Sequence, residues 1–199
     1  MKKENKKEFN LKEEYKKSWN YLKESKNFIY VIVTVFFVFV LIGFFIPAPD
    51  SLAKQILEFI EQLLEKTQGM SQGELIKFIF FNNLQSSFYG MIFGVLLGIF
   101  PMIATIANGY LLGFVASISV ENTGLLVLWR LLPHGIFELP AIFISLGLGL
   151  KFGMFIFQKR KLESFKEYFS NSLRVFFLIV LPLLIIAGII EGSLIFLGR

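Results

Sequence analysis

Leu132-Pro133-His134-Gly135-Ile136-Phe137-Glu138-Leu139-Pro140 sets the chain's only histidine and a glutamate in an apolar segment, between two prolines and beside a glycine. Ionisable groups inside a membrane span are costly to place and are usually functional. The chain around this stretch reads as membrane-embedded. Hydrophobic residues make up 55% of its 199 positions, phenylalanine alone occupies 25 of them, and the mean hydropathy is strongly positive, far from an ordinary soluble domain.

Apolar stretches extend outward from it on both sides: 28–46, 78–100, 102–120, 125–150 (interrupted by Arg130, His134 and Glu138) and 175–197 (interrupted by Glu191). Each is long enough to cross roughly 30 Å of hydrocarbon at about 1.5 Å per residue. The expected fold is therefore an all-α, polytopic helical membrane bundle with about five transmembrane helices, the fourth of them broken. Its parts are a basic amphipathic segment at 1–27, a first span at 28–46, a loop with an amphipathic helix at 47–77, a core at 78–157, a basic loop at 158–174 and a last span at 175–197. The first apolar run is too long for a signal peptide and has no small-x-small cleavage site, so it is expected to stay as an anchor.

Basic residues give the orientation. Nine lysines precede Phe28 and six basic residues lie from Lys151 to Arg174, whereas Pro47 to Lys77 holds three lysines against five acids. The expected topology in the cell membrane is an amino terminus in the cytoplasm and a carboxyl terminus outside. The net charge of +5 is accounted for by this asymmetry, and no nucleic-acid recognition motif accompanies it. The absence of cysteine excludes disulfides, iron–sulfur clusters and thiolate-bound zinc.

Two segments are patterned to lie along a membrane. Leu52, Ile56, Phe59, Ile60, Leu63 and Leu64 recur at helical spacing, and Phe9, Leu11, Tyr15, Trp19 and Leu22 are interspersed with Lys and Glu. Within the spans, Asn82, Ser86, Gly90, Gly94 and Gly98 stand four apart, as do Gly109, Gly113 and Ser117, and Ser145, Gly149 and Gly153. Such small-residue stripes admit a crossing helix to close approach and are read as packing devices. Pro101, with almost no polar loop beside it, predicts a tight hairpin of the second and third spans.

Arg130, His134 and Glu138 fall at i, i+4 and i+8 and would share one face of a continuous helix. Pro133 and Pro140 lack N–H donors and Gly135 weakens the turn between them, which predicts a discontinuous helix lining a cavity. Counted by depth, Asn82, Asn83, Arg130 and His134 lie toward the outside, Glu138 and Asn108 near mid-depth, and Glu191 about 25 Å from Arg174, again outward. These groups are expected to gather in the outer half of the bundle. Three readings of the cluster stay open: a buried network that fixes helix pairing, a proton- or ion-responsive site at His134 and Glu138, or a metal site two or more ligands short of a zinc shell. The second histidine of the His-Glu-x-x-His protease signature is missing, as are a P-loop and a Gly-x-Ser-x-Gly motif, so an enzyme is not expected. No cofactor or resident metal is expected either.

Asn82-Asn83 at the start of a glycine-striped helix, Asn108-Gly109 with Gly113, and Pro133-His134-Gly135-x-x-Glu138-Leu139-Pro140-Ala141 with Gly147 resemble the stage II sporulation protein M family over roughly residues 74–153. In endospore formers the resemblance implies a polytopic protein of the engulfment machinery that anchors a peptidoglycan-hydrolysing complex. Carried over by position, it points to Asn82, Asn83, Asn108, Gly109, Pro133, His134, Gly135, Glu138 and Pro140. The leading expectation is a non-enzymatic scaffold or anchor working in the lipid bilayer with membrane or cell-envelope protein partners, and forming a homo-oligomer through a glycine stripe. The alternative is a small transporter or channel component with an outward polar site around His134 and Glu138.

Overall fold

The computed structural model describes residues 10–126 and 132–198, with the side chains of 132–134 outside that description. Eight α-helices follow one another: α1 Leu11–Glu24, α2 Lys26–Phe45, α3 Asp50–Thr67, α4 Gln72–Ile92, α5 Ile99–Thr123, α6 Leu132–Gly153, α7 Lys161–Val175 and α8 Leu181–Leu197. Among the described residues there is no strand, and the all-α class stands. Local chemistry sets most boundaries. Asn10 caps α1 by accepting from the amides of Lys12 and Glu13, and Ser71 and Glu74 form a reciprocal capping box at the start of α4. Pro47 and Pro49 bar α2 from running on into α3.

Pairwise contacts give the helix directions. Phe36 of α2 lies against Gly109 of α5, and Val40 against Gly113, so these two helices run parallel. Gly90 of α4 and Gly94 of the 3-10 turn that follows it meet Leu146 and Gly149 of α6, also in parallel, whereas Phe80 and Ile76 of α4 meet Gly188 and Gly192 of an antiparallel α8. With Ile29 of α2 against Gly147, α2, α5 and α8 point one way and α4 and α6 the other. The helix seams are backbone against backbone. A Cβ added at Gly109 would stand 2.5 Å from the Phe36 carbonyl oxygen, and those at Gly94 and Gly113 would collide with the Gly149 and Val40 carbonyls. In lipid, where apolar side chains gain nothing by leaving the solvent, such close approach supplies the packing energy.

Three expectations change. Among the described residues four helices, not five, are long and apolar enough to cross a membrane: Lys26–Phe45, Ile99–Thr123, Gly135–Phe157 and Lys161–Leu197. The expected span at 78–100 falls short because α4 carries Asn82, Asn83, Gln85, Ser86 and Ser87, and its helix stops at Ile92 in a 3-10 turn at Phe93–Val95. It nonetheless lies along the bundle, flanked by α6 and α8, with Asn83 and Ser87 turned inward. Next, the reversal after α4 is made by Leu97 and Gly98, both at positive φ, while Pro101 sits harmlessly in the first turn of α5. No close hairpin results, because α5 leaves α4 to pack on α2. Finally, α6 runs from Leu132 to Gly153 without the expected break. Pro133 occupies its second position, where no intrahelical bond is lost, and Pro140 is carried inside the helix at an exposed position.

Within the basic stretch 158–174, α7 begins at Lys161. α7 continues into α8 through a wide π-type turn at Phe176–Val180, immediately before Pro182, which has no N–H for the Leu178 carbonyl. Phe165 of α7 packs on Phe152 of α6 with ring centroids 5.2 Å apart. α1 crosses the same end of the bundle, joined to α7 by the Glu14–Arg174 ion pair. Large apolar side chains such as Tyr30, Phe37, Leu41, Phe81 and Ile103 face outward, as a lipid solvent requires.

Candidate functional site at the α3 end of the bundle

α4, α6 and α8 enclose a cavity of about 1040 Å³ whose remaining wall is the last two turns of α3. Each polar residue reaches it for a local reason. α4 turns Asn83 and Ser87 inward because they continue the buried face that begins with Leu75 and Ile79, one position round from the Asn82–Ser86 pair. α6 presents Glu138 and α8 presents Glu191, and the two carboxyl groups face each other across the cavity. Asn83, 7% exposed, accepts from the Asn82 amide at 3.5 Å, while its own Nδ2 has no hydrogen-bond partner among the described residues. Gln72 Nε2 donates to Ser193 Oγ at 3.0 Å and ties α4 to α8 at the rim. Glu61 and Glu65 of α3 add two further carboxylates to the lining.

Asn82, Asn83, Glu138 and Glu191 are thus brought together, as depth along the helices implies. Asn108 is not. It is exposed on α5 and donates to the Ala104 carbonyl at 2.7 Å, because α5 packs on α2, away from the cavity; depth alone does not fix which face a residue takes. Arg130 lies outside the described residues, as do the side chains of Pro133 and His134, so the Arg130–His134–Glu138 face is not described. Gly135 and Pro140 belong to α6 but do not line the cavity, and Gly109 and Gly113 belong to the α2–α5 seam. Gly90, Gly94, Gly98 and Gly149 line the α4–α6 seam. Among the described residues no group of three His, Cys, Asp or Glu side chains is placed to hold a metal ion.

A second polar centre, at the opposite end, was missed by reasoning from the sequence. Lys151 is 7% exposed; its Nζ stands 3.8 Å from the centre of the Tyr21 ring, 3.1 Å from Ser25 Oγ and 3.9 Å from a Glu24 carboxylate oxygen. It clamps the α1–α2 corner to α6. The available signal was a single lysine at the end of twenty-odd apolar residues, which had been counted only toward charge asymmetry. Burial pushes the Tyr21 hydroxyl far above the usual tyrosine range. Nearby, hydrogen bonds from Lys17 and Arg174 hold the Glu14 carboxyl below its ordinary value.

A helical bundle with apolar helices exposed to lipid and its polar groups turned inward defines a multi-pass membrane protein. The chain belongs to the stage II sporulation protein M family, whose model matches residues 32–194 and so takes in every element from α2 to α8. It is similar to an uncharacterized protein of Methanocaldococcus jannaschii, 29% identical over 176 residues that cover 85% of this chain and 78% of the relative. A second uncharacterized protein of the same organism is 33% identical over 116 residues, covering 55% of this chain and 65% of that protein. No solved structure matches the chain.

Proposed function

We propose that this protein is a non-enzymatic membrane anchor that holds a cell-envelope partner at the end of the bundle bearing α3 and the cavity. The observation that supports this most directly is α3. It is 18 residues long and strongly amphipathic, and none of its residues is buried. Leu52, Leu57, Phe59 and Leu63 stay exposed, and the helix touches the bundle only near its end, where Lys66 Nζ stands 5.1 Å from the Phe78 ring. A helix with an uncovered apolar face, held at one end beside an acidic polar cavity, is suited to receive another chain. The scaffold role implied by the family's sporulating members agrees with this reading. A photo-crosslinking residue at Phe59 should give one adduct of defined mass with a second polypeptide in the native membrane, lost in a Leu52→Ser/Leu63→Ser chain that still inserts. Adducts with lipid alone would defeat the proposal.

A second reading, a transport component, is favoured by one observation: two carboxyl groups on separate helices facing one cavity. Transport requires a second state that opens the other end. Accessibility of a cysteine at Ser87 to reagents added from each side in turn separates the two readings.

A further inference from the structure

α1 and α8 leave a groove between them that the anchor reading does not use. Its volume is about 570 Å³, and its walls are Tyr15, Lys16 and Trp19 of α1 with the apolar face Leu178, Pro182 and Ile186 of the α7–α8 rod. The groove exists because the wide turn at Phe176–Val180 and Pro182 interrupt the regular helix where α1 crosses it. α1 is held there from its other side: Ser18 and Tyr21 are buried, Glu14 pairs with Arg174, and Tyr21 lies under Lys151. The face left over carries Lys12, Tyr15, Lys16, Trp19 and Lys23, at steps of three or four residues and therefore in one row along the helix. Trp19 is 53% exposed, with Lys23 Nζ 5.9 Å from its ring centre. Among the described residues neither Lys12 nor Lys16 has an ion-pair partner; both are exposed.

We propose that this groove is a binding site for one anionic membrane lipid. The acyl chain lies along Leu178, Pro182 and Ile186, and the phosphate sits against Lys12 and Lys16. Three features select this occupant over a protein helix. The groove is lined almost wholly by carbon and continues onto the lipid-facing surface of α8, where Ile185 and Ile189 are exposed. The lysine row borders one edge of it, with Lys16 in the lining itself, so charge and apolar surface adjoin as they do in a phospholipid. Tyr15 and Trp19 stand between the two, at the level where amphipathic rings settle in a bilayer interface.

The test is native mass spectrometry of the full chain in detergent, titrated with phosphatidylglycerol and separately with phosphatidylcholine. The wild type should retain one phosphatidylglycerol molecule in preference to phosphatidylcholine. K12Q/K16Q should weaken that retention roughly twenty-five-fold while leaving phosphatidylcholine unaffected, since each basic side chain near an anionic headgroup contributes about a fivefold gain in affinity. K161Q/K166Q removes the same net charge from exposed positions on α7 and should change nothing. I186W, which fills the groove at a half-exposed position, should reduce retention of both lipids. Equal losses from the two lysine pairs would show a diffuse surface attraction and overturn the site, as would a wild type that holds both lipids alike or an I186W chain that retains them undiminished.

Discussion

Gly94→Ala tests the seam on which the bundle depends. Gly94 ends α4's contact with α6, and a Cβ there would overlap the carbonyl oxygen, carbonyl carbon and Cα of Gly149. None of these atoms can rotate away, since all belong to a helix backbone. The clash is relieved only by moving α4 and α6 apart by on the order of 1 Å, and the separation opens neighbouring contacts too: Gly90 with Leu146, and Gly153 with Gly94 and Leu97. Overpacking of this kind costs about 3 kcal/mol, the upper part of the usual range. For a chain of this length that corresponds to a fall in Tm of roughly 6–12 °C. The reciprocal change meets the same surface, for a Cβ at Gly149 would lie 2.7 Å from the Gly90 carbonyl oxygen and 3.0 Å from Met91 Cα. Gly149→Ala should therefore cost a similar amount, and the double variant clearly less than the sum, because one separation of the helices accommodates both methyl groups. Thermal unfolding in detergent, followed by tryptophan fluorescence, reads all three. A Gly94→Ala chain melting within a degree of wild type, or a double variant whose losses simply add, would refute the backbone-to-backbone seam.

Gly73→Ala is the converse, since a Cβ in that first turn of α4 has nothing within 4 Å; it should leave the protein unchanged or raise stability by up to about 1 kcal/mol, and a loss would mean α3 or another element covers the site. Glu138→Ala and Glu191→Ala each remove one member of the carboxyl pair, so the double variant should cost less than the summed singles by about 1–2 kcal/mol in a thermal double-mutant cycle, strict additivity being the contrary result. Lys151→Met leaves the ring of Tyr21 and the Ser25 hydroxyl without their ammonium, and limited trypsin digestion should cut α1 faster than in wild type; equal protection would show that α1 is held by other contacts. Glu14 is held below its ordinary pKa by its bonds to Lys17 and Arg174, so its contribution to docking α1 on α7 is present above the usual glutamate range and lost as pH falls through the lowered value; α1 should become more susceptible to proteolysis below pH ~4, and Glu14→Gln should abolish that pH dependence.

The bundle was legible in the sequence where the residues report a one-dimensional quantity. Apolar length marks α2, α5, α6 and α8, and the four-residue spacing of glycines marks the seams, because neither depends on which helix lies beside which. The same quantity misleads at α4, whose Asn82, Asn83, Gln85, Ser86 and Ser87 lower its apolarity without preventing it from lying in the bundle; those facing inward are shielded by α6 and α8, and mean hydropathy does not distinguish an inward from an outward face. Neighbour relations were the least legible. The closeness of α4 and α5 in sequence suggested a hairpin, but Gly109 and Gly113 choose α2 through the fit of backbone to backbone, which spacing alone does not encode. Asn108 is the consequence at the site, carried off with α5 to a surface that never meets Asn83.

Glu138 shows most clearly why the cavity needed both kinds of reasoning. Its partner was sought along its own helix, at His134 and Arg130, because positions four apart share a face. The structure sets it beside Glu191, more than fifty residues later, while Arg130 and the His134 side chain lie outside the described residues. That pairing becomes possible because α8 runs antiparallel to α4, while α4 runs parallel to α6, with Gly188 and Gly192 letting α8 close onto Phe80 and Ile76. The glycines that serve packing therefore also decide which carboxyl groups meet. Glu191 is reached by α8 only at the depth where Gly192 abuts Ile76, so a bulky side chain at 192 should separate the two carboxyls without touching either. Gly192→Leu is thus expected to abolish the coupling between Glu138→Ala and Glu191→Ala while each single chain still inserts in the membrane. A persistent coupling in that background would mean the pair is held by something other than the α4–α8 seam.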